Sequence, residues 1–148
     1  MDPFNALRSL ENIFVDEQNP YFTSLDGVLY TKNFEEIVHY PSARTAKVFY
    51  LPKNVKIIRD QSFSYQSYIN SLIFQNEITY INQYAFTNSN NLRNFIFPLG
   101  ISLPAAISDI LKSYTISYYS IEIHTCPAYC YRYLFDLNIL MSIFIIIS

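Results

Sequence analysis

The strongest constraint on this chain is a pattern of apolar residues that recurs after 23 positions. The stretch INQYAFTNSNNLRNFIF, residues 81–97, repeats the apolar spacing of IRDQSFSYQSYINSLIF, residues 58–74, without a gap. A fixed period of this length is the sequence signature of a repeat architecture. Six matched pairs carry the pattern: Val55 and Ile78, Ile58 and Ile81, Phe63 and Phe86, Ile69 and Leu92, Leu72 and Phe95, and Phe74 and Phe97.

The repeat predicts a solenoid. Leu72 and Phe74, like Phe95 and Phe97, stand two positions apart, so in a strand each pair points to one side. One coil of 23 residues cannot bury these side chains alone, whereas stacked coils share a continuous core, with strands pairing at about 4.8 Å. We therefore predict a strand-dominated α/β solenoid with repeats of about 23 residues.

The register also extends toward the N-terminus. Subtracting 23 from 72 and 74 reaches Phe49 and Leu51, and the apolar residues of segment 10–15 have the spacing of a further strand. The offset between residues 15 and 51 is 36, which is 23 plus 13, so an insertion is implied. It contains two apolar runs around the polar TKNFEE, a pattern typical of a β-hairpin, expected at about residues 25–41. The predicted strand positions of the coils lie near residues 10–15, 47–52, 70–75 and 93–98.

The pattern stops after residue 98. Adding 23 to the positions of Ile81 and Phe86 gives Pro104 and Asp109, neither of which continues it. The stretch LPAAISDILKS indicates a helix, with the proline suited to a first turn, and TISYYSIEI alternates like a strand. The predicted organisation is a solenoid over residues 1–98 and a divergent C-terminal segment over residues 99–148, either a cap or a truncated membrane anchor.

Charge excludes some partners. The 148 residues have a formal net charge of −2 and only 15% charged residues, so no global field attracts nucleic acid. Residues 1–36 contain seven acidic and two basic side chains, whereas residues 37–59 contain five basic ones and no acid. We interpret these segments as neighbouring faces that attract each other, and a basic binding patch is the alternative.

The sequence offers little chemistry. His124, Cys126 and Cys130 could supply three zinc ligands, but no fourth is evident, and the cysteine spacing is one residue longer than the redox C-x-x-C motif. His39 has no nucleophile or carboxylate in a recognisable pattern and is interpreted as structural. Two glycines cannot form a phosphate-binding loop. We therefore expect no catalytic residue, no cofactor and no metal.

The two ends bear on location. The N-terminus lacks the basic and apolar regions of a secretory signal peptide. Residues 139–147 are apolar, and with the preceding residues from 134 they remain shorter than the ~20 residues of a spanning helix. Three alternatives stay open for residues 134–147: a truncated anchor, a buried terminal helix or strand, and a segment that associates with a membrane surface.

Three segments suggest a family. NPYFTSLDGVLY, then LPKNVKIIRDQSF, then ITYINQYAFTNSNNLRNFIF resemble, in this order, the BspA-type leucine-rich repeats of bacterial and protist surface proteins. The resemblance covers about residues 10–98. It implies a right-handed leucine-rich-repeat solenoid that acts in adhesion or interaction at the cell surface, without catalysis. The sequence departs from the family at Arg59 and Asn82, where glycine is typical, and at Gln66 and Ser89, where cysteine is typical.

The positions between the inward residues predict an exposed strand face. One row of large apolar residues would cross adjacent coils on this face, and contiguous exposed apolar surface often marks a partner site. The alternative is that the row packs on itself or beneath residues 99–148. The candidate partner-binding residues are Phe14, Tyr50, Ile73, Ile96, Lys47, Asn70 and Arg93.

These observations favour a noncatalytic interaction or adhesion module of a leucine-rich-repeat surface protein, whose partner is a protein or a host or cell-surface ligand. The alternative, favoured by the missing signal peptide, is an intracellular leucine-rich-repeat scaffold. A fragment of a larger array with no independent function is also compatible with a repeat that begins on a strand.

Overall fold

The computed structural model describes Phe4 and residues 7–120. Within them lie nine strands and one short helix, so the structure is dominated by strands. In chain order they are β1 (Phe22–Leu25), β2 (Val28–Thr31), β3 (Glu36–His39), β4 (Val48–Tyr50), β5 (Ile57–Ile58), β6 (Ser71–Ile73), β7 (Tyr80–Ile81), β8 (Asn94–Pro98), α1 (Ala105–Leu111) and β9 (Thr115–Tyr119).

The strands form two sheets. The front sheet has the order β4-β6-β8-β9 and is parallel throughout, and the back sheet has the order β1-β2-β3-β5-β7. In the front sheet Val48 pairs with Ser71 and Ser71 with Asn94, so each step is 23 residues. The step from Ile57 to Tyr80 in the back sheet is also 23 residues. The predicted solenoid with a 23-residue spacing is confirmed.

The core lies between the two sheets. All twelve residues of the six matched pairs are buried, none exposing more than 6% of its surface. Aromatic rings join one coil to the next: the centroids of Tyr40 and Phe63 are 5.4 Å apart, those of Phe63 and Phe86 5.9 Å, and those of Phe86 and Phe95 5.0 Å. These distances are typical of favourable aromatic contacts, so the repeat builds one continuous core.

Backbone hydrogen bonds join the coils outside the strands as well. The amides of Tyr40 and Phe63 donate to the carbonyls of Ser62 and Ala85, at 2.8 and 2.9 Å. These bonds satisfy buried backbone groups on the side of the coil that has no regular strand.

Strands β1 and β2 form a hairpin around Asp26 and Gly27, which both have positive φ, 50° and 74°. Two central residues with positive φ define a type I′ turn, and Asp-Gly is among its preferred sequences. Strand β2 then pairs antiparallel with β3. The back sheet therefore begins with three antiparallel strands, and the sequence reasoning missed β1.

Residues 10–15 contain no strand. The carbonyl of Leu10 accepts a hydrogen bond from the amide of Ala43, at 2.9 Å, and the amide of Ile13 donates to the carbonyl of Gly27, at 2.9 Å. The segment therefore bonds to the hairpin turn and to the loop before β4, and it does not extend the front sheet.

The front sheet continues past residue 98. As the sequence indicates, a helix and a strand follow: Pro104 precedes α1, and β9 pairs in parallel with β8. The offset from Asn94 to Thr115 is 21 residues, so a search at 23 misses this coil. Helix α1 contacts β7, the edge of the back sheet, and buries Ile107 and Leu111, which lie four positions apart on one helix face.

The acidic and basic segments face each other, as interpreted from the charges. The Lys56 Nζ lies 4.0 Å from a carboxylate oxygen of Glu35, and Arg59 Nε donates to Glu36. Both pairs join β3 to the coil that begins at β4. Because the side chains are partly exposed, we expect each pair to contribute at most about 1 kcal/mol.

We predict that Phe86→Ala destabilises the fold by about 3–5 kcal/mol, because it opens a cavity beside the rings of two coils. Phe14→Ala is the matched control, since Phe14 exposes 86% of its surface and should cost almost nothing. Urea unfolding measures both. Equal midpoints for the two variants would show that the rings do not form a shared core.

We predict that Gly27→Ala costs more than Gly100→Ala. Both glycines have positive φ, at which alanine costs about 1 kcal/mol or more. A Cβ at Gly27 would collide with the Asn12 side chain and approach Arg44 Nη1 to 2.9 Å, whereas a Cβ at Gly100 would meet nothing within 4 Å. Thermal unfolding of both variants tests this difference, and equal losses would contradict the packing described for the turn.

Candidate interaction surface

The outward side of the front sheet, here called the front face, carries the predicted apolar row. Tyr50 pairs with Ile73, Ile73 with Ile96, and Ile96 with Ser117, so the row crosses four strands in register. Tyr50 exposes 47% of its surface and the two isoleucines are half-buried. Three of the four predicted apolar residues are thus neighbours on one surface, and a serine ends the row on β9.

The three polar candidates stand at the start of the same strands. The carbonyl of Lys47 accepts from the amide of Asn70, at 2.8 Å, and the carbonyl of Asn70 accepts from the amide of Arg93, at 3.0 Å. Lys47 and Arg93 are exposed, whereas Asn70 is half-buried and accepts a hydrogen bond from Ser71 Oγ. These residues form a polar margin along one end of the strands.

Phe14 does not join the row. Its segment bonds to the hairpin turn and to the loop before β4, so it pairs with no strand of the front sheet, and its ring is 86% exposed. The spacing of Leu10, Ile13 and Val15 suggested a strand, but an insertion of unknown length left the position of that strand unfixed. Long-range pairing, rather than local spacing, decides this placement.

Tyr119 is a part of the front face that the sequence reasoning missed. Its hydroxyl donates to the carbonyl of Phe74, at 3.0 Å, and so links β9 to the end of β6 across β8. Burial raises the pKa of the Tyr119 phenol above its ordinary value. No sequence signal at residue 119 indicates this contact, because it depends on the 21-residue offset of β9.

A second surface lies on the outward side of the back sheet, here called the back groove. Its volume is about 810 Å³. Apolar side chains line most of it, and the Arg59–Glu36 ion pair lies at its wall. The sequence reasoning missed it, although the adjacent Ile57 and Ile58 point to opposite sides of a strand and so required an apolar surface on both. Its apolar lining consists of Phe4, Phe22, Leu29, Val38, Ile57 and Tyr80.

Within residues 7–120 and Phe4, no group of three or more His, Cys, Asp or Glu side chains could hold a metal ion. His39 is buried, and its ring stacks on Phe4 with centroids 4.4 Å apart. His124, Cys126 and Cys130 lie outside the described residues, as do residues 134–147. In the described part of the chain no helix is long and apolar enough to cross a bilayer.

Comparison with known proteins decides the family. The pattern described as "BspA type leucine rich repeat region" matches residues 21–113 in six copies. The chain belongs to the BspA-type leucine-rich-repeat family. The match extends past residue 98 into α1, in agreement with the coil that the structure adds there.

Solved structures with a similar fold include leucine-rich-repeat proteins of bacteria. The pneumococcal vaccine antigen PcpA matches with 15% identity and a TM-score of 0.44, covering 75% of this chain and 51% of that one. A leucine-rich-repeat protein from Eubacterium ventriosum matches with 17% identity and a TM-score of 0.47, covering 76% of this chain and 44% of that one. A leucine rich cell surface protein from Faecalibacterium prausnitzii has 17% identity and a TM-score of 0.45, covering 80% and 44%.

This BspA-type chain therefore spans about half the length of those proteins, or less. No curated protein matches it.

Two departures from the family pattern have a structural role. Gln66 and Ser89, at the positions typical of cysteine, are buried one repeat apart. The amide of Gln66 donates to Ser89 Oγ, at 3.1 Å, and its Nε2 donates to the carbonyl of Tyr40, at 2.8 Å. Ser89 Oγ donates to the carbonyl of Phe63. Polar side chains here hydrogen-bond three successive coils together.

We predict that Tyr119→Phe lowers the stability at pH 7 by about 1 kcal/mol, through loss of the bond to Phe74. Because the pKa is raised, the folded state holds the phenol proton more tightly than the unfolded chain does. The stabilisation is therefore complete below about pH 10 and is lost as pH rises through the folded-state pKa. The difference between wild type and variant should shrink toward pH 11 in urea titrations.

Tyr118→Phe is the control for the neighbouring position, since its hydroxyl makes no hydrogen bond within the described residues. We expect it to leave stability at pH 7 unchanged. A difference between wild type and Tyr119→Phe that is independent of pH would contradict the assigned bond.

Proposed function

We propose that this chain is a noncatalytic interaction module of a cell-surface leucine-rich-repeat protein, and that it binds a protein or another cell-surface ligand through the front face. The observation that carries the proposal is the row of Tyr50, Ile73 and Ile96, aligned in register on one side of a parallel sheet. Membership of the BspA-type family supports the interaction role.

The row suits a protein partner for a physical reason. Tyr50 and Val48 are exposed side by side on β4, at 47% and 41%, and the two isoleucines extend the apolar surface across β6 and β8. Apolar and aromatic side chains at the centre of an interface, surrounded by polar ones, supply most of the binding energy. Lys47, Asn70 and Arg93 form such a polar margin at one end.

The cell-surface location is part of the proposal. Support comes from the family and from the printed descriptions of two similar structures, a pneumococcal vaccine antigen and a leucine rich cell surface protein. Labelling of intact cells with a membrane-impermeant amine reagent tests it, because Lys47 and Lys53 are exposed. Labelling only after lysis would favour the intracellular scaffold instead.

We expect Tyr50→Ser combined with Ile73→Ser to weaken ligand binding by about tenfold or more, as for the loss of interface anchors. The measurement is biolayer interferometry of the purified chain against immobilised fibrinogen, fibronectin, collagen and mucin. Circular dichroism of the variant checks that the fold is retained.

Tyr68→Ser combined with Tyr84→Ser is the matched control. Both tyrosines are exposed, at 48% and 58%, and neither lies in a strand of the front sheet. Binding should survive in this variant. If the two double variants bind equally, the front face is not the interface.

A further inference from the structure

The two sheets do not end together at the N-terminal side of the solenoid. The back sheet continues past β3 to β2 and β1, whereas the front sheet stops at β4. Residues 10–15, which could have supplied the next front strand, bond elsewhere. Strand β4 is therefore an edge strand, and within the described residues nothing pairs with its outer side.

The direction of the β4 backbone follows from its bonds to β6. The carbonyl of Lys47 accepts from the amide of Ser71, at 3.1 Å, and the amide of Leu51 donates to the carbonyl of Ile73, at 2.9 Å. Because strand residues alternate, the amides and carbonyls of Val48 and Tyr50 point away from β6. An edge strand of this kind offers a template for another extended chain.

The ends of this edge are positively charged. Lys47 and Lys53 flank β4 and are exposed. Among the described residues the ion pairs are Lys56 with Glu35 and Arg59 with Glu36, so neither flanking lysine belongs to one. A small pocket at the start of β4 is lined by Glu11 and Arg44, whose charges balance. The net charge around the edge is therefore positive.

These charges argue against pairing of β4 with β4 of a second copy. An antiparallel pair would bring the lysines of one copy beside those of the other, and like charges that face each other destabilise a strand pair. Lysine on an edge is a known device against such association. The same charges attract an acidic chain, so the edge excludes a second copy and selects among extended peptides.

We propose that β4 is a strand-addition site for an extended acidic peptide segment of a partner protein, which hydrogen-bonds to the outward backbone of Val48 and Tyr50 and places carboxylates near Lys47 and Lys53. The span from Lys47 to Lys53 is about 20 Å at 3.3 Å per residue, enough for about six peptide residues. Main-chain bonds supply affinity and the lysines supply selectivity in this mode of recognition. The site is distinct from the front face, although Tyr50 borders both.

The test uses the full chain and a fluorescent hexapeptide of alternating glutamate and valine, acetylated and amidated. Fluorescence anisotropy should show saturable binding, and hydrogen exchange by NMR should slow at the Val48 and Tyr50 amides. A peptide with lysine in place of glutamate should bind about tenfold more weakly or worse, through repulsion by the two lysines. Absence of binding to wild type, or equal binding of the two peptides, would overturn the proposal.

A proline substitution separates backbone pairing from side-chain contact. Val48→Pro removes one outward amide, which proline permits on an edge strand, and should weaken binding by about tenfold. Val48→Ala keeps the amide and should bind the peptide nearly as wild type does. Equal affinities for the two variants would refute strand addition.

Two further measurements make the outcome independent of the fold of one variant and of the proposed function. A glutamate–valine peptide N-methylated at alternate residues cannot donate to the edge and should not bind wild type; binding would refute the proposal even if Val48→Pro fails to fold. Ile73→Ser with Ile96→Ser alters the front face only and should leave peptide binding unchanged, whatever becomes of the other ligands. Dimers of the chain in analytical ultracentrifugation would contradict the exclusion of a second copy.

Discussion

Each coil of this protein depends on its neighbours to keep its apolar side chains out of water. Phe63 illustrates the constraint, because its ring lies between Tyr40 of the preceding coil and Phe86 of the next. A fully buried side chain of this size is worth about 2–3 kcal/mol, and a single coil can bury few of them. The 23-residue register follows, since only equal coils bring equivalent rings and strands into contact.

The same constraint shapes the two ends, where a coil has one neighbour instead of two. At the N-terminal side the Asp-Gly hairpin extends the back sheet, and residues 10–15 bond to its turn through Ile13. At the other side α1 packs beside β7 and takes the place of a back-sheet strand. Terminal repeats of solenoids differ from internal ones for this reason. The front face and the β4 edge are surfaces that these arrangements leave open.

The sequence predicted the internal coils well because periodicity is a local signal with a simple cause. The inward positions Leu72, Phe74, Phe95 and Phe97 follow from strand alternation, and all are buried. The helix near Pro104 follows from its own residues. The candidate row was predicted for its central strands for the same reason, as Tyr50, Ile73 and Ile96 occupy equivalent positions of successive coils.

What the sequence could not supply is pairing between segments of different length. Phe14 was placed by counting across an insertion, and β9 was missed as a coil because its offset is 21 rather than 23. The hydrogen bond of Tyr119 to Phe74 depends on that offset. The hairpin at Asp26 and Gly27 was within reach of turn chemistry, since Asp-Gly is a strong type I′ signal that was not applied.

Native-state hydrogen exchange tests most directly whether stacked coils hold one another. The amides of Phe63 and Phe74 donate to the carbonyls of Ala85 and Ile96 in the next coil, whereas the amide of Gln18 is bonded only within an exposed turn. The account predicts that the two inter-coil amides exchange only through global unfolding, with similar protection factors, while Gln18 exchanges orders of magnitude faster. Exchange of Phe63 and Phe74 as fast as that of Gln18 would contradict the stacked solenoid.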